Sequence, residues 1–313
     1  LNKQTDDFLP DYKWIDIFKF YYWLLFRKYK KWKFKNIKIN DEPDPFVENK
    51  DIVKVTFIGH ATVLIQTHGL NILTDPIFSS FAGLSSFFSV KRMKNPGVTF
   101  EKLPKIDIIL LSHDHYDHLD KPTLKKIIDR DDSTVIGGFG NYKLLKKLGF
   151  KSIYELRWWE EVLLDADLSI TFVPARHTSS RLLPFLNSSL SGGFIIKINS
   201  YVIYFAGDTA FGPHFEEIQK KFSSIDLSLL PIGAYKPSNV LQSLHMGPKE
   251  ALKAHEILKS KQSIAIHFGT FQLSDESMNE PVEVLYKHKK ELNLNEDIFI
   301  ALEEGKSLLL KKQ

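Results

Sequence analysis

A nearly continuous apolar run, Ile106 to Leu111, passes through Ser112 directly into His113-Asp114-His115-Tyr116-Asp117-His118. A buried strand that empties into a loop with three of the chain's 11 histidines in six positions constrains the fold more than any other feature of this sequence. In an extended or turning loop, His113 and His115 point to one side and Asp117 and His118 reach an adjacent point, so one loop can serve two metal ions. The plainer reading, a polar surface loop that happens to be rich in histidine, does not explain why it follows a buried strand. The chain contains no cysteine, which excludes disulfides, thiolate nucleophiles and cysteine-held zinc. Any metal must therefore rest on imidazole and carboxylate.

Further ligands are expected at strand ends, because loops at one rim of a sheet converge on a shared point. Three residues meet that condition. His177 follows the strand expected at Ser169 to Val173, Asp208 follows Tyr201 to Ala206, and His267 directly ends Ser263 to Ile266. Other short β-type runs are Val53 to Ile58, Thr62 to Gln66, Leu70 to Thr74, Phe194 to Ile198 and Asp226 to Leu230, with His68-Gly69 as a turn. Helical periodicity covers Asn141 to Leu148, Pro213 to Lys221, Pro248 to Leu258 and Pro281 to Lys290. Strands outnumber helices and several are joined by tight turns, so the expected fold class is α/β with two mixed sheets sandwiched between helices.

The amino-terminal part reads differently. Ile15, Phe18, Tyr22 and Leu25 are at helical spacing within Trp14 to Phe26, and the stretch from Arg27 to Lys38 then carries seven basic residues and no acid. The whole chain is formally +4, so the remainder is about −3. Aromatics interleaved with lysines, as in Lys30 to Lys35, suit a segment lying on an anionic membrane surface, and equally a solvated basic face packed on the domain. With a Pro-containing linker at Asp41 to Phe46, the chain divides into an amphipathic segment, 1–52, and a catalytic domain, 53–313. No run of about 18 uncharged apolar residues exists. The expected location is peripheral membrane or cytoplasm. The chain starts at Leu1 rather than Met, which leaves room for a preceding leader and leaves export unread.

Gly59-His60-Ala61-Thr62, Leu73-Thr74-Asp75-Pro76-Ile77-Phe78, the histidine cluster, Trp158-Trp159-Glu160-Glu161, Phe205-Ala206-Gly207-Asp208-Thr209, Pro231-Ile232-Gly233-Ala234-Tyr235 and Ala265-Ile266-His267-Phe268-Gly269-Thr270-Phe271 together resemble the metallo-β-lactamase superfamily. Within it they more closely resemble the group of N-acyl-phosphatidylethanolamine-hydrolysing phospholipases D. The resemblance implies a four-layer αβ/βα sandwich and two zinc ions. His113, His115 and His177 would hold one, Asp117, His118 and His267 the other, with Asp208 between them. Iron is compatible with the same nitrogen and oxygen donors. Two such ions about 3.5–4 Å apart generate a hydroxide nucleophile near neutral pH. By the same resemblance, Asp117 and Asp208 orient that nucleophile and His245, in Leu244-His245-Met246-Gly247-Pro248, donates to the developing phosphoryl charge. His60 and Asp75 are expected to support the ligands, while His68, His214, His255 and His288 read as surface residues.

The expected substrate is a phospholipid, split into N-acylethanolamine and phosphatidic acid. Aromatic loops at Phe78 to Val90 and Leu182 to Leu190 would line an acyl groove or else fill ordinary core. A lactonase or carboxylic ester hydrolase on the same centre is the alternative. A noncatalytic membrane-binding protein is a third class, but all seven ligand positions are intact. A nucleic-acid partner is disfavoured, because the basic run is remote from the cluster and the rest of the chain is acidic. A homodimer stays open. Ser238-Asn239-Val240, Leu244 and Thr178 depart from the better-known members, so chemistry is more securely read than specificity.

Overall fold

The computed structural model describes residues 13–39, 51–67, 69–85, 88–181 and 188–311. Helix α1 (Trp14–Phe26) is followed by strands β1 (Ile52–Gly59), β2 (Thr62–Thr67) and β3 (Leu70–Thr74), a hairpin of β4 (Phe81–Ser85) and β5 (Phe88–Lys91), then β6 (Ile108–Leu111), α2 (Lys121–Asp131), β7 (Thr134–Gly138), α3 (Tyr142–Leu148) and β8 (Ile153–Leu156). The second half comprises β9 (Glu161–Asp165), β10 (Leu168–Pro174), β11 (Gly192–Ile198), β12 (Tyr201–Phe205), α4 (His214–Phe222), β13 (Ile225–Pro231), α5 (Ser238–Leu241), α6 (Pro248–Ile257), β14 (Ser260–Ile266), α7 (Glu280–Glu291) and β15 (Phe299–Ile300). Strand β16 (Ser307–Lys311) returns to the first half.

Two seven-stranded sheets result, ordered β16-β1-β2-β3-β6-β7-β8 and β15-β14-β13-β12-β11-β10-β9. Each is antiparallel along one half and parallel along the other, β3-β6-β7-β8 in the first and β12-β13-β14-β15 in the second. Side-chain alternation explains the layering. On β6, Ile108 and Leu110 join a core that includes the second sheet, α4, α6 and α7, whereas Ile109 and Leu111 pack with α2 and α3. The molecule is a mixed α/β fold of two large sheets flanked by helices, as expected from the strand and helix pattern.

Most expected elements form within a residue or two. The exceptions have physical causes. Phe78 to Val90 is not simply a loop, because β4 and β5 pair as a separate two-stranded ribbon, with Phe81 38% exposed. Strand β16, with the burial alternation of an edge strand, is recruited by pairing with β1, a partner about 250 residues away in the chain that no local pattern announces. Pro184, Phe185, the linker at Asp41 to Phe46 and His68 lie outside the described residues.

Helix α1 is tied to the segment that follows His267. Trp23 Nε1 donates to Asp275 Oδ2 at 2.6 Å, Arg27 Nη2 to the Ser274 carbonyl at 3.0 Å, and Trp32 Nε1 to the Glu276 carbonyl at 3.0 Å. Arg27 is thus a structural member of the basic run, with its Nε 3.2 Å from Asp275 Oδ1. Lys28, Lys30, Lys31, Lys33, Lys35 and Lys38 remain exposed. The outward face of α1 is apolar: Trp14, Phe18, Leu25 and Phe26 are 86, 65, 76 and 64% exposed. Among the described residues no helix is long and apolar enough to cross a membrane.

Candidate metal centre

The ligand candidates lie at the carboxyl ends of strands from both sheets, where parallel sheets characteristically place their sites. β6 delivers the 113–118 loop, and β10, β12 and β14 deliver His177, Asp208 and His267. The structure brings all seven into one buried cluster. His113 Nε2, His115 Nδ1 and His177 Nε2 face one another, with His115 Nδ1 2.9 Å from the first and 3.2 Å from the third. Three ring nitrogens at such spacing match the edge of about 3.3 Å of a tetrahedron with bonds of about 2.0–2.1 Å.

Asp117 Oδ2, His118 Nε2 and His267 Nε2 form a second group, at 3.5 Å for the first pair and 3.6 Å between Asp117 and His267. Asp208 lies between the groups. Its Oδ2 is 3.0 Å from His267 Nε2, 3.2 Å from His118 Nε2, 3.8 Å from His177 Nε2 and 4.0 Å from His113 Nε2. Yet His118 Nε2, His267 Nε2 and Asp208 Oδ1 are buried without an aligned hydrogen-bond partner. Buried polar atoms without partners are costly, and here they aim at common points rather than at each other.

The surroundings fix which nitrogen is free in three of the rings. His118 Nδ1 donates to Asp75 Oδ2 at 2.7 Å, and His177 Nδ1 donates to the Leu244 carbonyl at 2.8 Å. Ser112 Oγ donates to Asp75 at 2.5 Å and accepts from His113 Nδ1 at 2.9 Å. Each contact leaves an Nε2 lone pair directed into the cluster, the arrangement that orients metal-ligating histidines. Asp75 therefore supports two rings, one directly and one through Ser112. The role of Ser112 was not anticipated, although a hydroxyl at the end of an apolar strand was its signal. His60, held at φ +58° in the β1–β2 turn, donates from Nε2 to Asp117 Oδ2 at 2.9 Å.

Charge follows from this packing. Burial drives His60, His177 and His245 down to about 3 and His115 to about 4, so these rings are neutral donors. Burial also opposes the charged form of His118 and His267. There the carboxylates outweigh it: Asp208 and Asp117 hold His118 well above its ordinary value and His267 at about 9. Asp117 and Asp208 stay ionised, because neighbouring His118 and the other imidazoles overcome the burial that would raise them. This donor set fits divalent cations: ionised carboxylates face imidazoles, two of which hold a proton that a cation would displace, with no sulfur present.

His245 stands at the edge of the cluster, its Nδ1 3.8 Å from Asp208 Oδ2 and its ring 4.9 Å from that of His177. The histidines read as surface residues separate. His214 is fully buried, with Nε2 3.1 Å from Thr209 Oγ1, while His255 and His288 are half-buried. Packing of α4 against the second sheet, invisible to local polarity, accounts for His214.

Residues 70–268 match the family described as the beta-lactamase superfamily domain. The chain is 33% identical over 265 residues to N-acyl-phosphatidylethanolamine-hydrolyzing phospholipase D 1 of Caenorhabditis elegans, covering 80% of this chain and 74% of that protein. It is 34% identical over 236 residues to the mitochondrial N-acyl-phosphatidylethanolamine-hydrolyzing phospholipase D of Saccharomyces cerevisiae, of which it spans 50%. Its fold is like that of Igni18, a metallo hydrolase of Ignicoccus hospitalis, with a TM-score of 0.63 and 22% identity over 84% of this chain and all of that one.

Proposed function

This chain belongs to the beta-lactamase superfamily and is a metal-dependent hydrolase, and from that we propose that it is a zinc phosphodiesterase cleaving N-acyl-phosphatidylethanolamine-type phospholipids into N-acylethanolamine and phosphatidic acid. The observation that carries the reading is the seven-group cluster with its unpartnered, inward-facing atoms, in a chain similar to proteins of that activity.

His113, His115 and His177 would hold one ion, Asp117, His118 and His267 the other, and Asp208 would be shared. Two zinc ions supply Lewis acidity there, lowering the pKa of water toward neutrality and offsetting charge on a phosphoryl oxygen. The chain's own residues do the rest. Asp208 and Asp117, both ionised, accept hydrogen bonds and so orient the attacking oxygen. His245, a neutral imidazole at the rim, presents its N–H to the phosphoryl oxygen on which charge develops.

The lipid arrives at a membrane surface. The apolar outward face of α1 and the six exposed lysines beyond it support contact with anionic lipid, since an amphipathic aromatic helix beside a basic stretch suits a headgroup boundary. Metal-loaded protein incubated with N-acyl-phosphatidylethanolamine, and separately with lactones and carboxylic esters, tests the reading. Phosphatidic acid formed only with metal supports it. Cleavage of the esters with no phosphatidic acid sinks it.

A further inference from the structure

His245 has a second neighbourhood. It lines an open cleft of about 650 Å³ bordered by the start of α6 and one face of α7. The basic side chains on the wall are Arg176, Lys236, Lys249 and Lys287, and the acidic ones are Glu250 and Glu280. Glu280 is already engaged, by Lys236 and by the Tyr235 hydroxyl at 2.9 Å. Lys287 reaches Glu291 outside the cleft, at 3.9 Å. Arg176 and Lys249 are left facing Glu250, and among the described residues none of these three has an ion-pair partner within 4.0 Å.

Arg176 is the more telling of the two cations. It precedes His177, and the two side chains diverge: His177 enters the ligand cluster while the half-buried guanidinium borders the cleft, its Nη1 3.5 Å from the Phe211 carbonyl. Its backbone is held on both sides, the N–H by Thr209 Oγ1 at 2.9 Å and the carbonyl by the Ala210 N–H at 3.0 Å. A guanidinium on a fixed backbone, partly desolvated and without a carboxylate, has donors to spare for a planar or tetrahedral oxyanion. The amino-terminal end of α6, capped by Gly247, borders the same wall with Glu250 in its first turn. The cleft lies beside the ligand cluster with His245 between them, the His245 ring being 4.9 Å from His177 and 5.4 Å from His267.

We propose that this cleft is a subsite for a second anionic group of the substrate, a carboxylate or phosphate carried on the N-acyl side of the scissile phosphodiester and held by Arg176 and Lys249. The proposal deepens the phosphodiesterase reading, on which it rests for the position of the scissile bond.

Three dihexanoyl phosphatidylethanolamines, N-acylated with a hexanoyl, a glutaryl or a 3-phosphonopropionyl group, share one scissile bond and differ in the remote charge. The expected kcat/KM is about tenfold higher for an anionic lipid than for the N-hexanoyl one, and the better of the two anions identifies the group. Arg176→Gln brings that ratio near one, Arg176→Lys retains part of it, and Lys249→Gln, at an exposed position, lowers it independently. A ratio near one in the unaltered protein, or a ratio unmoved by both Gln substitutions, overturns the subsite. If none of the lipids is hydrolysed, the phosphodiesterase reading fails instead, and the ratio of their calorimetric Kd values on the same metal-loaded protein still decides for or against the subsite.

Discussion

Asp75 Oδ2 accepts the Nδ1–H of His118 at 2.7 Å, and both side chains are fully buried. The same carboxylate accepts from the Ser112 backbone N–H at 2.8 Å and from its hydroxyl. A group outside the ligand set therefore determines the direction of two ligand rings.

Replacing Asp75 by Asn keeps the shape but weakens the acceptor. Metal affinity is expected to fall by about 10- to 100-fold, read by chelator competition, while activity at saturating metal recovers in large part. Unchanged affinity would mean that Asp75 serves only to hold the β3 end.

Among the described residues, Asp208 is the one carboxylate within about 4 Å of imidazoles from both groups. Asp208→Ala is expected to reduce bound metal from two ions to one or fewer per chain, by elemental analysis, and to lower hydrolysis by at least about a hundredfold. Retention of two ions with normal turnover would remove Asp208 from its shared position.

Trp14 and Leu25 are largely exposed on α1, and neither contributes to the Trp23–Asp275 attachment. The double substitution Trp14→Glu, Leu25→Glu is expected to leave the melting temperature in place and to cut cosedimentation with anionic vesicles by at least about tenfold, since burying one such side chain contributes about 1.5–3 kcal/mol. Equal binding by the variant would end the case for lipid contact through this face.

His214 gives a pH dependence. Burial lowers it to about 3, with Arg176 adding to the effect. Its folded value lies below the unfolded one near 6.5, so its stabilising contribution is full above pH 6.5 and is lost as pH falls toward 3, because only the unfolded chain takes up the proton. Between pH 6.5 and 5 the wild-type protein should lose about 2 kcal/mol that His214→Gln does not lose, measured as the change in urea-unfolding free energy of metal-free protein. Parallel pH curves would show that the ring is protonated in the fold.

The site was more legible than its framework. Histidines concentrated past an apolar strand, and lone polar residues at the ends of β10, β12 and β14, carry their meaning in short stretches of chain. Short apolar and β-branched runs likewise announce β1, β2 and β3, which are buried along almost their whole length. What local reading misses depends on distant partners: β16 becomes a strand by pairing with β1, and His214 is buried because α4 folds back on the second sheet. Arg27 belongs to a basic run in sequence yet serves in space as the mate of Asp275.

The ligand loops come from two sheets that share one apolar core. Carbon packing, rather than any ion, thus sets the dimensions of the cup. Such a protein can fold before it is filled, and its choice of metal becomes a matter of which cation on hand suits a vessel already cast.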